Sequence, residues 1–180
     1  MPMEYVIYLI YIVIVVILVS LYILYRNIKD FGETLNEIVK SSLKGEEVIL
    51  GPGFGRPMKS AILINVSIFI LAILILSFNP TMSFIVPNIL IFWTIFAPYW
   101  LMNLFTSRYL YNFPIVEMRE MVGLFISLAS NLPSLTLYLI FSYIYSWPFF
   151  EVFTYFTIIS YVLVAFLSMK LKRKLDTYKN

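Results

Sequence analysis

The chain has 180 residues, with neither cysteine nor histidine; 61% are hydrophobic, 13% are charged, and the formal net charge is +3. Soluble domains average about 45–50% apolar and about 25% charged residues, so this composition excludes that class, and the length suits one domain. Lacking Cys and His, the chain is unable to build a haem with a His or Cys ligand, an iron–sulfur cluster, an ordinary zinc site, a disulfide, or a Ser-His or Cys-His catalytic pair.

The first apolar run covers residues 5–25. As a helix, at about 1.5 Å per residue, it reaches roughly 31 Å, near the hydrocarbon thickness of a bilayer. A cleaved signal peptide would need a basic start, a shorter apolar core and a small-residue cleavage site. Here Glu4 precedes the run and Tyr22 and Tyr25 close it, so a retained span is expected.

Residues 26–60 form the one long polar segment. Ile28, Phe31, Leu35, Ile38, Val39 and Leu43 recur at spacings of three and four, with Lys29, Glu33, Asn36, Glu37 and Lys40 elsewhere. This predicts an amphipathic helix that stops at Gly45 and docks on the chain's own spans or lies in the membrane interface. Gly51-Pro52-Gly53-Phe54-Gly55-Arg56-Pro57 follows. It lacks the Gly-Lys-Ser/Thr ending and preceding strand of a phosphate loop, and reads as a rigid turn that returns the chain to the membrane at Met58.

Four more spans are expected at residues 61–78, 84–105, 121–145 and 149–169. The third of the five contains Pro87 and Pro98, and the fourth contains Asn131 and Pro133. Short turns at Asn79-Pro80 and Ser146-Trp147-Pro148 make two antiparallel hairpins. The predicted fold is therefore all-α: a polytopic membrane protein with five transmembrane helices and one cytoplasmic amphipathic helix, forming a single domain over residues 1–180.

All 13 Lys and Arg residues fall within 26–59, 108–119 and 170–180. Cytoplasmic loops are enriched in Lys and Arg, which places the N-terminus outside and the C-terminus in the cytoplasm of a cell membrane. Only Glu4 and Glu151 among the acidic residues then lie outside. No basic stripe is interleaved with exposed aromatics, so the expected partner is the lipid bilayer and not nucleic acid.

Inside the spans the polar residues are uncharged, and the fourth span concentrates them. Burying polar groups in lipid is costly, so Asn65, Ser127, Ser130, Asn131 and Ser134 are expected to face other helices or to line a polar path. Pro133 should free the carbonyl near Ala129 for another partner. Charges are missing from the span interiors, which argues against a proton relay and an intramembrane aspartyl protease. No carboxylate pair offers general acid and base at one depth, so no catalytic activity and no cofactor are expected.

Ser107-Arg108-Tyr109-Leu110-Tyr111-Asn112-Phe113-Pro114-Ile115-Val116-Glu117-Met118-Arg119-Glu120 joins two spans through an apolar-Pro-apolar step and a charged helix start. Over about 40 residues, 104–143, it resembles the cytoplasmic stretch of exporter-type permease subunits of ATP-binding-cassette transporters. The resemblance implies that residues 113–120 contact a separate ATPase, with Phe113, Pro114, Ile115, Glu117 and Arg119 at the docking site. That family usually has six spans and a cytoplasmic N-terminus. An outward N-terminus followed by a cytoplasmic helix is also similar to YidC-type insertases, whose long charged coiled coil has no counterpart here. The alternative expectation is an accessory subunit working with other membrane subunits in an assembly or insertion complex.

Overall fold

The computed structural model describes residues 55–108, 110 and 116–179, together with Tyr5, Ile7, Tyr8, Tyr11, Ile12, Ile14, Val15, Val16, Leu18, Val19, Ser20, Tyr22, Ile23, Arg26 and Asn27. The described residues form α1 (Gly55–Phe78), a 3-10 turn (Pro80–Ser83), α2 (Ile85–Arg108), α3 (Val116–Tyr145) and α4 (Phe150–Lys179), and contain no strand. All the described positions of the N-terminal run are helical as well. Each of the four complete helices is long and apolar enough to cross a membrane. The protein is an all-helical, multi-pass membrane protein. The amphipathic helix expected within residues 26–60 lies outside the described residues.

Helix boundaries depart from the apolar runs where local chemistry allows a helix to continue. α1 starts at Gly55, so the last residues of the Gly-Pro segment belong to its first turn instead of a separate turn ending at Met58. Pro57 is tolerated there because the first-turn N–H groups have no intrahelical partner. Pro87 sits in the first turn of α2 for the same reason. α3 starts at Val116, five residues before the apolar run, with Glu117 at the favourable end of its dipole.

The largest extension is in α4, which continues ten residues past 169. Thr154, Thr157, Tyr161, Val164, Ser168, Leu171 and Leu175 are all buried, at alternating spacings of three and four. That is the seam of a left-handed helix pair, and it does not stop where the charges begin. Leu171 and Leu175 belong to the same apolar cluster as Met118 of α3. Lys174 Nζ lies 3.3 Å from Glu117 Oε2 and ties the two extensions together.

α3 is the hub. It packs on α1, α2 and α4, whereas α1 and α4 make no contact with each other. Fifteen of its 30 residues are buried, and it is the most buried of the four complete helices. The α3–α4 turn is closed by Trp147 N–H donating to Ser142 O at 3.1 Å, with Ser146 at φ 52°. This is a 6→1 helix cap with serine in the left-handed position that usually holds glycine. Tyr138 braces the turn: its hydroxyl donates to Pro148 O at 3.2 Å, and its ring lies 4.1 Å from Phe153 and 5.6 Å from Trp147.

Candidate functional site

Proline in a helix interior leaves the carbonyl four residues earlier without its usual donor. In α2, Pro98 does this to Thr94. The side-chain amide of Asn131, on α3, donates to that carbonyl at 2.9 Å. Thr94's own hydroxyl turns back to Leu90 O at 2.7 Å. A buried amide from one helix thereby satisfies the broken ladder of its neighbour.

A second amide acts near the break in α3. Pro133 removes the donor to Ala129 O, but the interhelical bond forms one residue later: Asn65 Nδ2, on α1, donates to Ser130 O at 3.0 Å. Asn65 Oδ1 accepts from the Trp93 indole N–H at 2.9 Å. Asn65 thus links all three helices, and its burial is complete. In hydrocarbon such bonds average about 0.6 kcal/mol each, so their larger consequence is to fix helix rotation and depth.

The five residues expected to form a polar path are all buried, and Asn65, the Ser130 carbonyl and Asn131 lie where α1, α2 and α3 meet. Ser127 Oγ and Ser130 Oγ donate back to Leu124 O and Ile126 O, at 2.9 and 2.6 Å. Asn131 Oδ1 and Ser134 Oγ differ: both are buried and neither has a hydrogen-bond partner among the described residues. An unpaired buried polar group costs about 1–3 kcal/mol; Ser142 Oγ on α3 and Thr157 Oγ1 on α4 are unpaired among the described residues in the same way.

Of the expected docking residues, Phe113, Pro114 and Ile115 lie outside the described residues. Glu117 is 83% exposed even while paired to Lys174, and Arg119 is half-buried. Three polar links were not anticipated: Trp93 to Asn65, Thr136 to the Tyr161 hydroxyl at 2.9 Å, and Asn27 Nδ2 to Ser168 Oγ at 3.0 Å. Asn27 and Ser168 are both buried, which attaches the N-terminal run to α4. For the Asn131 bond to Thr94 O, the signal in the sequence was Pro98 four residues after Thr94.

Among the described residues, no group of three or more acidic side chains is placed to hold a metal ion. A cleft of about 270 Å³ lies away from the node, between Ile73, Leu76 and Ser77 of α1 and Tyr145 and Trp147. Its walls carry no charge. Comparisons with protein-family models, with curated proteins and with solved structures give no match.

Proposed function

We propose that this chain is the membrane-embedded, non-catalytic subunit of a transport system, a permease that works with a separate cytoplasmic ATPase. One observation carries the reading: two proline-interrupted helices meet at a single buried polar node, with Asn131 Oδ1 and Ser134 Oγ left over. Interrupted helices with unpaired polar groups line substrate and ion sites in transporters. They are tolerated in the hydrocarbon only where protein or a cavity covers them. On this reading α2 and α3 bend at Pro98 and Pro133 as the node opens, and the two oxygens meet the passing polar group.

The same proposal assigns five spans, with residues 5–25 as the first, and an amphipathic helix between spans one and two. The N-terminus is outside and the C-terminus is in the cytoplasm of a cell membrane. Residues 107–120 dock the ATPase, with Phe113 as the apolar anchor and Glu117 and Arg119 at the rim. The exposure of Glu117 suits a rim position.

The test is co-purification after crosslinking in native membranes, normalised to folded protein. Truncating an aromatic anchor often costs more than about 2 kcal/mol, whereas rim charges cost less. Phe113→Ala should therefore abolish ATPase recovery and Glu117→Ala should reduce it. Recovery of no ATPase with the unmutated chain overturns the proposal.

A second reading, an accessory subunit of an assembly or insertion complex, is favoured by one feature. The buried amides of Asn65 and Asn131 are already used between helices, as expected of static packing. Under it, Phe113→Ala lowers folded yield without selectively removing a partner.

A further inference from the structure

We propose that the basic end of the bundle binds anionic phospholipids, with headgroup phosphates held at Lys59 on α1 and at Lys170 and Arg173 on α4, and the acyl chains lying on the apolar stripes beneath them. All three side chains are exposed, and none makes an ion pair among the described residues. Their position on each helix is what points to lipid. At 100° per residue, positions four, seven and eleven away share a helix face.

Beneath Lys170 on that face come Phe166, Leu163 and Ile159, all exposed. Beneath Arg173 come Met169, Phe166 and Val162, and Lys59 stands over Leu63 and Ile70. The eleven residues separating Lys170 from Ile159 rise about 16 Å, close to half of the roughly 30 Å hydrocarbon core. Each cation therefore stands at the top of an apolar strip one leaflet deep. That matches a phospholipid, with its charge at one end and its chains below.

An acidic soluble protein would need the cations gathered on one face. Instead, Lys59 and Lys170 stand on α1 and α4, which make no contact with each other and flank the hub helix α3. The distribution is that of an annulus around the bundle. The opposite end offers no such belt: Glu151 is the only described charge there.

Spin-labelled lipids test this on the full chain in phosphatidylcholine vesicles containing phosphatidylglycerol. At about 0.01 M salt, phosphatidylglycerol should be enriched at least about twofold over phosphatidylcholine in the motionally restricted shell. The preference should fade toward parity at about 1 M salt, where screening is nearly complete. The K59Q/K170Q/R173Q variant should lose most of it at low salt, with an unchanged circular dichroism spectrum, whereas Glu151→Gln should retain it. Equal shells for the two lipids in the unmutated chain at low salt overturn the proposal, and that measurement stands even if the triple variant fails to fold. Full preference in a folded triple variant overturns it too. So does displacement by inorganic phosphate at matched ionic strength, which would identify a free-anion site.

Discussion

Gly123 of α3 lies so close to Thr106 of α2 that a β-carbon at position 123 would stand 2.7 Å from the Thr106 Cγ2 methyl. Thr106 has little freedom to yield, because its hydroxyl donates to Met102 O at 2.7 Å and its branched side chain is stiff. Glycine here sets how near the two helices approach, as small residues do in membrane bundles.

Gly123→Ala should therefore destabilise the bundle by about 1–3 kcal/mol through overpacking, outweighing the roughly 1 kcal/mol gained in helix propensity. Thr106→Ala in the same chain should recover most of the loss. Unfolding midpoints of the single and double variants decide it; a single variant as stable as the parent would contradict the packing argument.

Asn131→Leu should cost about 1–3 kcal/mol, because it strands the Thr94 carbonyl in an apolar interior. The informative comparison is with Pro98→Ala, which returns an N–H to that carbonyl. In the Pro98→Ala background the cost of Asn131→Leu should fall by about 1 kcal/mol or more. Additive losses across this double-mutant cycle would show that the amide does not serve the proline break.

Ser146→Gly should raise stability by about 0.5–1 kcal/mol. Its φ of 52° is a left-handed conformation that glycine adopts without steric cost. The exposed serine hydroxyl has no hydrogen bond among the described residues that the change would remove. A lowered thermal midpoint would count against the cap geometry.

A chain without native cysteine accepts single reporter thiols against an empty background. Cysteines near Lys44, Asn112 and Lys179 should react only from the cytoplasmic side, and those at Pro80 and Pro148 from outside. Pro148 is preferred over Trp147, whose side chain is buried beneath the turn. Exterior labelling at position 44 or 112 would reverse the proposed orientation.

Hydropathy made the described spans and both hairpins legible, because burying backbone in lipid forces helices wherever apolar runs are long enough. The burial of Asn65, Ser127, Ser130, Asn131 and Ser134 was legible too, since each had to avoid lipid. Their pairings were not. Whether Asn65 reaches Ala129 O or Ser130 O depends on helix rotation and depth, which packing decides. The α4 extension was hidden because Lys170, Lys172, Arg173 and Lys174 interrupt the apolar run, while the three-and-four spacing of Leu171 and Leu175 continues underneath.

The position of α3 as hub bears on how the protein is made. During synthesis α1 and α2 emerge before α3, already able to join through Asn65 and Trp93, but the Asn65 amide and the Thr94 carbonyl must wait for a helix not yet translated. The first hairpin therefore enters the bilayer as an unfinished surface, and α3, which carries the partners of both groups, has a ready-made reason to insert beside it. A nascent chain arrested before residue 116 would display those two groups to lipid, the kind of exposed polarity by which membrane quality control could distinguish it from the completed protein.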